Sequence, residues 1–449
     1  FSYDAAGNRT SMVDARGVVV NYAYDALNRL TSMTYPASAT ENITYTYDVT
    51  ATDNYGLGRL SKVAIGSTSV AYTYNHLGLI SKKTSVVNST TKAITYAYDK
   101  AGNLTSMTYP SGRVVNYTLD AAGRVQAVKT KATSSSSEQT VVAAVNYLPF
   151  GPVKSYTYGN GLTHTLTYDN DYRLTDIALG GLMVRNYSYD AADNITKITD
   201  SVSANKTQNF TYDNVDRLTS ANGVYGYQAF SYDAVGNRTG LLFDNGTSIQ
   251  SDTYVYDTAS NRLSRIDKTN AGLASGTRNF SYDSAGNLTQ GTGDDGSTQA
   301  FTFNNSNRLN TAKVNAALVG TYTYNALGQR VSKTYADATK ELFHYNEAGQ
   351  LLSVTNASGT TIREYIYNGA TLVGYVNAGI LTYVHNDHLN TPQVVTAQNQ
   401  SVLWMADYEP FGKAKLNASN NIAFSARFPG QYLDSETGIY YNYFRDYDP

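Results

Sequence analysis

His385, Asp387 and His388 form the tightest group of side chains able to ligate a metal ion. A common ion needs its donors on one side of the backbone. Along a strand the side chains alternate, so 385 and 387 share a face while 388 points away. The spacing therefore predicts structural residues and no metal centre. His76, His164 and His344 stand alone in sequence, and the absence of cysteine excludes thiolate ligands, thiol nucleophiles and disulfides. Paired carboxylates could act as general acid and base. Here, however, most aspartates follow an aromatic residue at a regular interval, as in Tyr24-Asp25, Tyr189-Asp190, Tyr212-Asp213, Tyr232-Asp233 and Tyr282-Asp283. In that setting a carboxylate accepts the backbone N–H two residues on and starts a turn. No catalytic residue is predicted. No cofactor is predicted either, since no glycine-rich phosphate loop joins a strand to a helix.

The element that must position these aspartates is a repeat. The second aromatic of each copy falls at 3, 24, 47, 74 and 98, then at 168, 189, 212, 232, 256, 282, 303, 324, 345 and 367. Between 98 and 168 the pattern weakens to Tyr117-Thr-Leu119-Asp120 and a Tyr147-to-Gly151 segment. Aromatic–x–aromatic sets two rings on one face of a strand. Pairs such as Gly7-Asn8 and Gly236-Asn237 supply residues tolerant of positive φ, and Arg-Leu-Thr opens the return strand, as at Arg29 to Thr31. A unit of about 21 residues thus holds two short strands and two turns. Tyrosine is the outstanding residue, 41 of 449 against 13 Phe and 1 Trp. It fits a thin, half-wet sheet better than a sandwich with an aliphatic core. Single hairpins are marginal in water and long sheets twist, so the expectation is all-β: hairpins paired edge to edge in one long spiralling antiparallel sheet.

The balance of 34 basic and 36 acidic residues gives no electrostatic pull toward nucleic acid. No apolar run is long enough to span a bilayer as a helix. The chain opens at Phe1 without a leader-like segment and stops at Pro449 inside a motif, and it reads as part of a longer protein. Past about residue 380 the repeat gives way to three distinctive segments. The first runs from His385 through Asp387 and His388 to Pro392, and the second includes Pro410, Phe411 and Gly412. The third contains Arg427, Phe428, Gly430, Gln431, Tyr432, Asp434, Glu436, Thr437, Gly438, Tyr441 and Asn442. Two domains are expected, a repeat array at 1–380 and a terminal core at 381–449.

With these segments the chain resembles bacterial Rhs proteins, the C components of insecticidal Tc toxins and animal teneurins, all built from YD repeats. The resemblance implies a hollow β-shell that encloses a toxic polypeptide following the core, in an exported, secreted or cell-surface bacterial protein used in competition between bacteria. The implied partners are that toxin and further N-terminal shell repeats. It also implies self-cleavage through Asp-Pro-x-Gly elements beyond Pro449. Arg445 and Asp448 would then be only supporting residues, and Arg445-Asp446-Tyr447 stands where the family has Arg-Tyr-Tyr. This chain is accordingly expected to be a non-catalytic shell. The alternative is an adhesin whose tyrosines bind cell-surface carbohydrate.

Overall fold

The computed structural model describes residues 1–149, 151–270 and 276–449; Phe150 of the Tyr147-to-Gly151 segment lies outside the described residues. Among the described residues there are 44 strands, two short 3-10 turns and no α-helix. With minor exceptions, each strand pairs antiparallel with the one before and the one after it. A 25-stranded sheet ends at Gly276–Asn279, and a 14-stranded sheet runs from Ser281–Tyr282 to Ala414–Leu416. The boundary expected at 380/381 falls inside this second run, where Ile380–Asn386 pairs with Thr371–Asn377 and with Pro392–Thr396.

The repeat motif is a set of local bonds. In most aspartate turns one carboxylate oxygen accepts two backbone N–H groups; at Asp283 the bond is to Asn287 N. Asp25 takes Leu27 N at 2.9 Å and Arg29 N at 3.0 Å, and the same pair of bonds recurs at Asp190, Asp213 and Asp233. The other oxygen accepts the side chain four residues on, Arg29 at 2.7 Å or Asn237 at 2.9 Å. The fourth residue of the turn carries the positive φ: Asn28 at +58°, Asp193 at +66° and Asp216 at +61°, and elsewhere glycine, +83° at Gly7 and +93° at Gly236, where a Cβ would meet nothing. The asparagine after it serves instead as the amide that binds the aspartate, as Asn8 and Asn237 do.

Two further bonds join neighbouring hairpins. The arginine or asparagine reaches the next turn: Arg29 to Asp48 at 2.6 Å, Arg173 to Asp193 at 2.6 Å, Asn194 to Asp216 at 2.8 Å. The second tyrosine donates its hydroxyl to a carbonyl of the preceding hairpin, as Tyr189 does to Leu174 and Tyr232 to Leu218. The same bond occurs from Tyr24, Tyr47, Tyr74, Tyr98, Tyr168, Tyr212, Tyr256, Tyr345 and Tyr367. The weak stretch between 98 and 168 keeps this lattice. Tyr147 donates to Val125, and Leu148 to Pro152 closes the usual turn without an aspartate. Asn386 replaces tyrosine in the same role, donating to the Leu372 carbonyl at 2.7 Å.

The second run lies along the first as a further winding, landing by its turn tips. Arg16 donates to the carbonyls of Asn304 and Asn305, Glu41 accepts Asn305 N, Lys83 pairs with Glu347 at 2.9 Å, and Gln228 donates to Glu409. Leu327, the apolar tip residue of its turn, packs against a cluster of Ile43, Val63, Val70, Tyr72 and Tyr74. The stretch from Arg16 to Gln228 is thus matched by 304 to 409, about half as many residues, so the wall tapers. Where the windings meet, Ile94, Val115, Val142, Ile177 and Leu179 share a core with Leu352, Ile366, Val376 and Leu381. The wall there is two layers closed by aliphatic side chains, and the half-wet single layer expected from the tyrosine content holds only for the remainder.

Candidate functional site

Residues 417–449 leave the ladder and form a small sheet, Tyr432–Asp434, Ile439–Asn442 and Arg445–Tyr447. This segment touches the second winding along its whole length. Thr437 binds Gln299, Glu436 binds Tyr322, Tyr432 meets Phe343 edge-on at 5.4 Å, Phe424 meets Tyr375 and Trp404 at 5.0 Å, and Phe428 lies on Gly412. Those contacts span about 50 Å of strip at the usual strand spacing. So short a segment reaches them all only because the sheet curls around it.

Its anchor is ionic. Asp434 is buried and binds the guanidinium of Arg330, itself fully buried, and Lys333 Nζ at 3.0 Å. Glu436 adds a contact to Lys333 at 3.3 Å and accepts the Tyr322 hydroxyl at 2.9 Å. Two cations therefore meet two carboxylates. The Arg330 guanidinium sits among the rings of Tyr441, Phe343, Tyr322 and Tyr432, 4.1 to 5.8 Å from their centroids. Ring faces are acceptable surroundings for N–H groups with no oxygen partner, here Arg330 Nε and Nη2. Burial works against the Arg330 charge, and Asp434 more than offsets it, holding the group above its usual range. Nothing local in the sequence sets Arg330 apart from the other repeat arginines.

The remaining expected core residues shape this plug. Arg427 is buried and donates to the carbonyls of Phe424 and Ala426, both at 2.9 Å. Gly412, at φ +93°, lies flat under the Phe428 ring, where a Cβ would come within 2.9 Å. Gly430 and Gly438 turn the chain at φ +81° and +76°, Gln431 N closes on Phe428 O, and Thr437 Oγ1 donates to Asp434 O. Asn442 is exposed and pairs in register with Arg445. Phe411 stacks edge-on against Phe230 of the first winding at 5.1 Å, beside Pro410 in the same turn. Pro392 starts a fully buried strand.

His385 lies next to last in the strand Ile380–Asn386, whereas Asp387 and His388 occupy the turn after it, so the strand alternation argued from sequence does not extend to them. Asp387 caps that turn as the repeat aspartates do, accepting Leu389 N and Thr391 N. The His385 ring meets Tyr158 and the His388 ring meets Tyr187, which separates the two imidazoles. Among the described residues no group of three or more His, Cys, Asp or Glu side chains is arranged to hold a metal ion.

At the end of the core, Asp448 pairs with Arg278 at 2.9 Å. Arg278, Lys413 and Lys268 converge on Asp294 at 2.7, 2.7 and 3.1 Å. Burial opposes the Asp294 charge, but these cations hold its carboxyl well below the usual range. Asp448 and Pro449 stand in a chamber of about 470 Å³ lined in part by Phe230, Arg238, Tyr254, Phe280 and Phe411. Arg445 lies exposed on the last strand. Asp446 stays open to solvent but is ringed by protein, and the lost hydration pushes its carboxyl up to about 6 against the pull of Arg330.

The Teneurin YD-shell profile matches residues 228–449, and the RHS Repeat profile matches 3–40 and 98–135. Together they match parts of the ladder and the whole of the plug. This chain is an Rhs-type YD-repeat shell protein. The shell protein resembles the TcdB2-TccC3-Cdc42 crystal structure with a TM-score of 0.75 at 18% identity, over 98% of this chain and 25% of that one. The Photorhabdus luminescens Tc holotoxin pore gives 0.74 at 18% identity, over 99% and 25%. These likenesses show the long antiparallel shell fold. Among curated relatives, a double-stranded DNA deaminase toxin A of Burkholderia cenocepacia is 26% identical over 60% of the shell protein and 20% of its own length. A probable deoxyribonuclease RhsA of Dickeya dadantii is 22% identical over 81% and 27%. The shell protein spans about a fifth to a quarter of these relatives. The adhesin alternative gains nothing from the geometry, because the second tyrosine of most copies commits its hydroxyl to a backbone carbonyl and first tyrosines such as Tyr96 and Tyr187 bury theirs.

Proposed function

We propose that this protein forms the tapering end of a container that encloses a toxic polypeptide, and that residues 417–449 close the narrow end from within. The observation that carries the reading is the curl of the second winding around its own terminal segment, fastened by Arg330, Lys333, Asp434 and Glu436. A wall that narrows onto its own plug can exclude proteases without a cargo-specific site. In this reading the protein is exported, its partners are the enclosed toxin and preceding repeats, and the core motif residues are structural. Arg445 and Asp448 support a cut made beyond the core, and the shell itself carries no catalytic group.

The test is protection. The shell is expressed in frame with the polypeptide encoded after it and challenged with proteinase K. Enclosure requires the downstream polypeptide to survive at protease levels that digest it when expressed alone. Equal digestion rates would overturn the reading.

A further inference from the structure

Four of the five histidines lie on the second winding or against it. His164 belongs to the first winding; His344, His385 and His388 belong to the second. His164 and His385 are both buried, on opposite sides of the joint. His164 Nδ1 lies 2.8 Å from the Tyr156 hydroxyl, which lies 3.2 Å from that of Tyr158. Tyr158 then crosses the joint and donates to the Val384 carbonyl at 2.7 Å. The His385 ring stands edge-on to Tyr158 at 4.3 Å, and its Nε2 lies 2.8 Å from Thr396 Oγ1, which also accepts Asn160 of the first winding. His164 Nε2 and His385 Nδ1 are buried without a partner.

We propose that this joint is an acid-sensitive latch, closed while His164 and His385 are neutral and forced open when both take up protons. The groups facing His164 are Tyr156, Tyr158 and, across the joint, His385; those facing His385 are Tyr158, Thr396 and His164. Neither ring has a carboxylate bonded to it among the described residues. A proton on either therefore enters a site with no counter-charge, and a second proton adds repulsion between the windings. The other two histidines give no relief. His344 bonds Thr355 and faces Lys92 of the first winding, which opposes a proton. Burial holds His388 below its usual range, with Asp387 drawing it toward a proton and Arg185 away.

Burial pushes His164 and His344 down to about 4, and His385 also well down, the last with repulsion from His164. Since the folded values lie below the ordinary histidine value of 6.5, closure is complete above that pH. It is lost progressively as pH falls toward 4. The latch is a property of the wall alone and stands or falls separately from enclosure of a toxin.

The chain has no cysteine, so a single Leu162→Cys, buried in the shared core of the joint, reports opening. Its reaction with 4,4′-dithiodipyridine, divided by that of the urea-unfolded variant, is expected to rise at least about tenfold from pH 7 to pH 4.5. Adding His164→Gln and His385→Gln removes the rise. A flat ratio, or a rise that persists in the triple variant, overturns the latch. If the triple variant fails to fold, NMR of C2-labelled histidine in the unaltered chain decides. Titration of His164 and His385 near 6.5 refutes the proposal, and titration below 5 accompanied by proteolytic opening supports it.

Discussion

Replacing Asp434 by asparagine removes one charge from a buried set of two cations and two carboxylates. Arg330 and Lys333 would be left with Glu436 alone, and of these two cations Glu436 contacts Lys333. Breaking a buried pair from one side costs about 3–5 kcal/mol, because the surviving charge stays desolvated. Arg330 has no water to turn to, being 0% exposed. The expected effect is a plug that detaches while the ladder survives, since the repeat bonds do not involve Asp434. Hydrogen exchange followed by mass spectrometry reads this directly. Peptides spanning Tyr432–Asp434 and Ile439–Asn442 should lose protection by roughly two to three and a half decades, at about 1.4 kcal/mol per decade, while those over Leu174–Leu179 stay unchanged. The double replacement Arg330→Met with Asp434→Leu should restore most of the protection, as apolar substitutes for buried pairs generally do. A change in D434N below about 1 kcal/mol, or one equal in both regions, would refute the ionic-anchor argument.

Tyr232→Phe deletes the 2.8 Å bond to Leu218 and should cost about 0.5–1.5 kcal/mol in urea unfolding; no loss would show the hydroxyl lattice to be incidental. At Asp25, alanine should lower the unfolding midpoint while asparagine leaves it nearly unchanged at pH 7, because Asn304 and Asn325 cap their turns with the same geometry. The Asp25 carboxyl is held below its usual 3.8 by its bonds to the Arg29 backbone and side chain, against the opposing effect of desolvation, so its contribution is present above that value and fades as pH falls below it. Asp446 has the opposite sign. Its folded value of about 6 lies above 3.8, so its stabilisation is complete below 3.8 and lost as pH rises through 6. The urea midpoint of D446N relative to the unaltered chain should therefore climb between pH 4 and 7, and a constant difference would count against it.

The repeat was legible because its bonds are local. An aspartate, its turn and the arginine or asparagine four residues on are written within one short stretch. The lattice between 98 and 168 was hidden because Tyr147 and Leu148 keep the turn without the aspartate, and Asn386 keeps the tyrosine bond without the ring. The joint between windings was not legible at all. Arg113 meets Glu364 at 2.5 Å across 251 residues, and no short-range pattern announces such a pair. Arg330 looks like any repeat arginine until Asp434 is placed against it. The three terminal segments stand apart in sequence, but the ladder running through the first two shows only in the strand pairing.

The turn tips of the second winding rest on the first winding, and the plug rests on the second. Each layer thus needs only what lies nearer the N-terminus. A ribosome delivers the chain in that same order, and segments that fold as they emerge do so from the N-terminal end. The wide course can set before the narrow one is made, and the narrow one before its stopper. In the proposed reading, a polypeptide made next would meet a wall already standing.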